Sequence, residues 1–84
     1  MIEAKFNKDD YIINRAAMDM AIVKDISKKG YYQFKAYYSS LFDELKDLKN
    51  NKYELQVNYQ KFWDLCNDDE KQKLDKIIKE KGGK

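Results

Sequence analysis

The stretch YYQFKAYYSS, residues 31–40, decides which fold class the sequence favours, because it holds five aromatic rings in its first eight positions. Such a run is either a surface on which nucleic-acid bases stack or the buried side of a packed element. Counted at about 100° per residue, four of the five rings fall within about 140° of a helical wheel, and apolar side chains continue that face. The face comprises Tyr31, Phe34, Tyr37, Tyr38, Leu41, Phe42, Leu45 and Leu48. The pattern predicts a helix over 31–49 whose rings lie in the core.

Tyr32 lies off this face of the wheel. We therefore expect it to be exposed, and exposed tyrosines often anchor protein interfaces. A row of rings that stacks on bases also needs cations beside it. The flanking positions carry more acids than bases: Asp43, Glu44 and Asp47 against Lys35 and Lys46. This composition favours the packed core over the stacking surface.

On the N-terminal side the sequence predicts a helix over 8–26, with Asn7 or Asp9 as its N-cap. Its middle, AAMDMAIV at residues 16–23, has one polar side chain and is expected to be buried on most sides. SKKG at residues 27–30 combines a basic last turn with a glycine, which is typical of a helix end.

On the C-terminal side, residues 52–59 allow two interpretations. Polar and apolar residues alternate strictly there, which is typical of a half-buried strand that could pair with a second alternating segment at 2–6. The alternative is a helix over 53–66, which we prefer because Phe62 to Cys66 extend its apolar stripe without a break. In that helix, Trp63 is expected in the core and Cys66 is expected as a buried, unreactive thiol.

The last helix is expected over residues 68–81. Asn67 is its predicted N-cap, with Glu70 three residues on as in a capping box. Lys79, Lys81 and Gly82 suit its C-terminal end. Its apolar face is narrow, so we expect it on the outside of the molecule.

These elements together predict an all-α fold, a compact bundle of three to four helices (8–26, 31–49, 53–66 and 68–81) in a single domain over 1–84. An α+β fold with short strands at 2–6 and 52–59 is the alternative. The chain has no proline, and its three glycines are Gly30, Gly82 and Gly83, so little interrupts helices from within.

The residue types exclude most site chemistry. With no histidine and one cysteine, the chain can form no Ser/His/Asp or Cys/His triad and no ordinary zinc site. Asp43 and Asp47 share a helix face, but nothing near them in sequence desolvates them, so they are interpreted as solvated. The sequence has no glycine-rich phosphate loop. We therefore expect no catalytic residue, no metal and no cofactor, and a protein that is not an enzyme.

The charge is nearly balanced, with 17 basic and 15 acidic residues and a net charge of +2. Arg15 is the only arginine, which disfavours specific DNA readout, and both signs are mixed along the chain. No apolar run is long enough for a signal peptide or a membrane span, and the lone cysteine cannot form an internal disulfide. The expected location is cytoplasmic, with no membrane partner.

The leading functional hypothesis is a small interaction module that binds and modulates, or inhibits, another protein. A residue usage typical of A/T-rich codons suggests a bacterial, phage or mobile-element origin. The candidate partner-binding residues are Tyr32, Tyr53, Lys73, Lys76 and Lys79. The alternative hypothesis is a nucleic-acid-binding regulator with a helix-turn-helix-like arrangement. The aromatic surplus also allows a homodimer.

Overall fold

The computed structural model describes residues 3–51 and 53–82, without the side chains of residues 50 and 51. Its main feature is an antiparallel sheet in the order β4-β3-β2-β1-β6, with β5 also paired to β3. The strands are β1 (Tyr11–Asn14), β2 (Asp19–Ile26), β3 (Tyr31–Ser39), β4 (Glu44–Leu45), β5 (Glu54–Gln56) and β6 (Asp64–Leu65). The helices are α1 (Leu48–Asn51), a 3₁₀ helix (Val57–Phe62) and α2 (Asp68–Gly82).

The predicted all-α bundle is wrong. The helices expected over 8–26, 31–49 and 53–66 are replaced mainly by strands and turns. The helix-turn-helix-like arrangement was to be built from these helices, so it loses its structural basis. The α+β alternative is closer. Of its two expected strands, residues 3–6 form none, and the segment 52–59 contributes only the short strand Glu54–Gln56. Residues 2 and 52, which belonged to those expected strands, lie outside the described residues. The helix predicted over 68–81 is confirmed as α2.

Strand β2 resembles a buried helix in sequence because both faces of the sheet are covered. Ala21 and Val23 belong to a core on one face, whereas Met20 packs with a core on the other face. A strand buried on both sides shows a continuous apolar run instead of alternation, and periodicity alone cannot distinguish such a run from a buried helix.

Strand β3 imitates a helix in sequence because a β-bulge breaks its alternation, and a second bulge lies opposite it on β2. The register passes from Ile22↔Ala36 to Val23↔Phe34, which leaves Lys35 as the extra residue on β3. It then passes to Asp25↔Gln33, which leaves Lys24 as the extra residue on β2. A bulge shifts the following side chains to the opposite face. Phe34 and Tyr37 thus reach the same core with a spacing of three, which imitates a helix.

Gly30 lies in the β2–β3 hairpin and not at a helix end. Its N–H donates to the Ser27 carbonyl at 3.0 Å, and the Ser27 N–H donates to the Tyr31 carbonyl at 2.8 Å. Its φ of +84° is in the left-handed region that favours glycine. The basic SKKG segment is therefore the hairpin turn.

Each face of the sheet has its own core. The first core is closed by the N-terminal segment, β5 and the 3₁₀ helix, and its buried members are Phe6, Ile12, Ala21, Val23, Tyr32, Phe34, Val57 and Trp63. The second core lies between the sheet and α2, and its buried members are Ile13, Met20, Cys66 and Leu74. The expected burial of Trp63 and Cys66 is confirmed.

A reciprocal pair of hydrogen bonds begins α2. The Glu70 N–H donates to Asn67 Oδ1 at 2.8 Å, and the Asn67 N–H donates to Glu70 Oε1 at 2.8 Å, so the predicted capping box is confirmed. The Asn67 N–H and the Arg15 guanidinium hold the pKa of Glu70 below its usual range. A lowered pKa means that ionised Glu70 stabilises the folded state. This stabilisation is present above the ordinary pKa of glutamate and is lost as the pH falls through the lowered value.

Asn67→Ala is expected to lower the free energy of unfolding by about 0.5–2 kcal/mol, because the Glu70 N–H loses its acceptor. Urea denaturation followed by circular dichroism measures the change. Gln72→Ala, at an exposed position inside the same helix, is the matched control and should leave the midpoint nearly unchanged. Equal midpoints for the two variants would show that the cap contributes nothing.

Candidate protein-binding surface

The turn between β3 and β4 presents two large apolar side chains to solvent. Leu41 is 83% exposed and Phe42 is 64% exposed. The Asp43 N–H donates to the Ser40 carbonyl at 3.2 Å, which places Leu41 and Phe42 at the two central positions of the turn. Glycine, proline, asparagine, aspartate and serine normally occupy such positions. Turn formation therefore does not explain the Leu-Phe pair.

Side-chain hydrogen bonds hold this turn in place. The Asp19 carboxylate accepts from the Ser40 N–H at 3.0 Å and from the Tyr37 hydroxyl at 2.9 Å. The Tyr38 hydroxyl donates to Asp43 at 2.6 Å. Burial, together with the bond to Asp19, raises the pKa of Tyr37 above its usual range, so its hydroxyl stays a donor at neutral pH. The apolar tip is thus presented on a fixed backbone.

Asp43 also connects the turn to α2. Its φ of +48° places it in the left-handed region, which aspartate tolerates better than most residues. Lys81 of α2 lies 3.4 Å from the Asp43 carboxylate. The hydrogen bond from Tyr38 and the Lys81 ammonium hold the pKa of Asp43 below its usual range. The carboxylate is therefore ionised at neutral pH, and it holds the turn against two other elements.

An open groove of about 590 Å³ runs beside the turn. Its walls include Ala17, Asp19, Tyr37, Leu41, Phe42 and Tyr53. The Tyr37 and Tyr53 rings are stacked with centroids 5.3 Å apart. The Lys46 ammonium lies 4.6 Å from the centroid of the Phe42 ring and 5.7 Å from that of Tyr53. We call the turn and this groove together the turn surface.

A second open groove, of about 790 Å³, lies on the other side of Tyr53, which lines both. Residues from β2, β3, α1 and β5 surround it, including Lys24, Gln33, Lys35, Lys49 and Glu54. We call it the lysine groove. Both grooves adjoin the first core, because Phe34 belongs to that core and Tyr37 and Tyr53 pack against it.

Comparison with protein-family models, with curated proteins and with solved structures finds no match.

The sequence-predicted binding residues fall into three different places. Tyr53 is half-buried between the two grooves, where it can contact a partner. Lys73, Lys76 and Lys79 are exposed on α2, across the sheet from Tyr53. The structure therefore does not join Tyr53 and these lysines into one site.

Tyr32 is fully buried, so the prediction that it is exposed was wrong. Its hydroxyl donates to Gln60 Oε1 and accepts from the N–H groups of Lys5, at 2.9 Å, and Phe6, at 3.2 Å. Gln60 Nε2 donates to the Glu3 carbonyl at 2.6 Å. This buried network attaches the N-terminal segment to the 3₁₀ helix. Tyr32 is therefore a core residue, and its side chain is not accessible to a partner.

The helical wheel caused Leu41 and Phe42 to be missed as binding residues, because it assigned both to the core. The neighbouring sequence carries a signal that could have identified them. Ser39 and Ser40 precede them and Asp43 follows, and these are residue types that favour turns. Turn-favouring residues on both sides of the pair indicate a turn, and a turn places its two central residues at an exposed tip.

The remaining chemistry of the described residues is limited. No group of three histidine, cysteine, aspartate or glutamate side chains in residues 3–51 and 53–82 could hold a metal ion. Burial raises the pKa of the Cys66 thiol to about 11, so it is protonated at neutral pH and a poor nucleophile. No helix within the same ranges is both long and apolar enough to cross a bilayer.

Proposed function

We propose that the protein is a non-enzymatic module that binds and modulates another protein through the turn surface. The exposure of Leu41 and Phe42 at the tip of a hydrogen-bonded turn supports this function most directly. Large apolar side chains on a fixed backbone bind with little loss of conformational freedom, and aromatic anchors dominate many interfaces. Tyr53 contributes a half-buried ring with a polar hydroxyl beside them.

The charges near the tip favour a protein partner over nucleic acid. Asp19, Asp43 and Glu44 all adjoin the turn, and Lys46 is already paired with Glu44 at 2.7 Å. A phosphate backbone placed along this surface meets three carboxylates, of which Glu44 and Asp43 are each paired with a lysine and Asp19 is paired with none among the described residues. The same carboxylates disfavour insertion of the tip into an anionic membrane. The free thiol of Cys66 suits a reducing compartment, and it supports the proposal of a cytoplasmic location.

The test compares two double variants of the tagged full chain. Leu41→Ser/Phe42→Ser removes the tip. Tyr59→Ser/Phe62→Ser removes two rings of similar exposure, 54% and 58%, that lie on the 3₁₀ helix. We expect a partner retained by the wild type and by the Tyr59/Phe62 variant, and retained at least tenfold less by the Leu41/Phe42 variant, which corresponds to about 1.4 kcal/mol. Quantitative mass spectrometry of nuclease-treated bacterial lysate fractions measures retention.

Thermal unfolding of both variants should stay close to that of the wild type, since the substituted side chains are exposed. Equal retention of the partner by the Leu41/Phe42 variant and the wild type contradicts the proposal, as does retention that disappears with nuclease. Light scattering after size exclusion addresses self-association. A wild-type dimer that becomes monomeric only in the Leu41/Phe42 variant identifies a second copy as the occupant, and overturns binding to a different protein.

A further inference from the structure

The lysine groove is built by irregularities in the two longest strands. Lys24 and Lys35 are the extra residues of the two bulges on β2 and β3, and Lys49 comes from α1. Bulges redirect a side chain relative to the regular pleat, and they are over-represented next to functional sites. Regular pairing of the same strands does not produce this arrangement.

Two of these cations are available to a ligand. Among the described residues, no carboxylate lies within 4.0 Å of the Lys24 or Lys49 ammonium group. Lys35 is paired with Asp9. Glu54 is the acid that lines the groove, and its carboxylate already accepts a hydrogen bond from Gln33 Nε2 at 3.2 Å. The groove therefore attracts anionic groups through Lys24 and Lys49.

Tyr53 connects the lysine groove with the turn surface, since it is a lining residue of both. A chain segment whose apolar side chain contacts Phe42 can cross the Tyr53 ring and continue between Lys24 and Lys49. We propose that the lysine groove binds an acidic, extended segment of the same partner protein that the turn surface anchors. This inference rests on the proposed function, and it names the chemistry of the partner.

An acidic peptide fits this connected surface better than a polynucleotide does. A peptide can place carboxylates at the lysines and apolar side chains at the turn, where Asp19 and Asp43 lie. A polynucleotide carries phosphate at every residue and cannot avoid those carboxylates. Arg15, the chain's single arginine, is paired with Asp64 at 2.9 Å and Glu70 at 3.0 Å, so it does not contribute to this groove.

The probe for this groove is a capped peptide of six glutamates, with a peptide of six glutamines as its uncharged match. Amide chemical shifts of the ¹⁵N-labelled full chain report where each peptide binds. We expect saturable changes at Lys24, Gln33, Lys35, Lys49 and Glu54 with the glutamate peptide only. Lys24→Glu/Lys49→Glu should weaken this binding at least tenfold. Lys73→Glu/Lys76→Glu, with the same charge change on α2, should retain it.

Changes that spread equally over the α2 lysines, or changes that do not saturate, overturn the inference. Tighter binding of a thymidine hexanucleotide than of the glutamate peptide at the same amides overturns it in favour of nucleic acid. The Leu41→Ser/Phe42→Ser variant separates the two proposals, because it should bind the glutamate peptide like the wild type. If partner capture needs Leu41 and Phe42 but the peptide does not bind, only the groove inference fails. If the peptide binds and capture survives loss of the tip, the turn surface fails as the anchor of the partner, and only the affinity of the lysine groove for acidic peptide remains.

Discussion

Replacing Tyr32 with alanine is expected to lower the free energy of unfolding by about 3–5 kcal/mol, as for other buried aromatic side chains. The ring lies in the first core, 5.6 Å from the ring of Phe6, and is fully buried. Its loss leaves a cavity beside Phe6 and removes the hydroxyl that two backbone N–H groups share. A domain of this size has only about 5–15 kcal/mol of total stability, so much of the population should unfold under mild denaturation.

Tyr32→Phe separates the hydroxyl from the ring. It is expected to cost about 1–3 kcal/mol, because the Phe6 N–H loses its acceptor and Gln60 Oε1 keeps only the Lys5 N–H as a donor, while the cavity is avoided. Urea denaturation followed by tryptophan fluorescence measures both variants, since Trp63 belongs to the same core. Tyr59→Ala, at an exposed ring, is the control and should stay within about 0.5 kcal/mol. If Tyr32→Ala is as mild as Tyr59→Ala, the ring is not in the core.

Leu74→Ala is expected to lower the free energy of unfolding by about 2–5 kcal/mol. Leu74 is the fully buried residue of α2, and it packs with Ile13, Met20 and Cys66 in the second core. The half-buried Ile77 and Ile78 also contact this core. With so narrow an apolar face, α2 depends on Leu74 for its attachment to the sheet.

The measurement for Leu74→Ala combines urea denaturation with limited proteolysis. Cleavage within α2 should become faster than cleavage within β2 and β3, because the helix is released before the sheet opens. Lys73→Ala replaces the exposed neighbour and should leave the denaturation midpoint and the cleavage pattern unchanged. A Leu74→Ala protein with wild-type stability contradicts the assignment of α2 to the second core.

Local chemistry in the sequence predicted α2 well, because its signals are contained within a few residues. Asn67 and Glu70 bond each other across one helical turn, and the acids and bases at the two ends suit the helix dipole. The sheet could not be predicted from local signals of this kind. Strand pairing depends on residues far apart in the chain, and here bulges at Lys24 and Lys35 break the alternation that would have indicated strands.

The candidate site was predictable only in part, for a related reason. The sequence offers Tyr53 as a partner-binding candidate, and Tyr53 lines both grooves, so its role in binding stays a prediction. Exposure of Tyr32 was inferred from a helical wheel, which has no meaning for a residue of β3. The same wheel placed Leu41 and Phe42 in a core that does not exist. The direction of a side chain can therefore be predicted only when the secondary structure has been assigned correctly.

The network around Gln60 also has a consequence for synthesis and folding of the chain. The Lys5 N–H donates to Gln60 Oε1 at 2.9 Å across a separation of 55 residues. The first core therefore cannot close on a ribosome until most of the chain has emerged. Until then, β2 and β3 lack β5 and the 3₁₀ helix, which help to cover one of their faces. Long-range closure of this kind slows folding. Nascent chains truncated before Gln60 should thus depend on chaperones, because their aromatic sheet face stays uncovered.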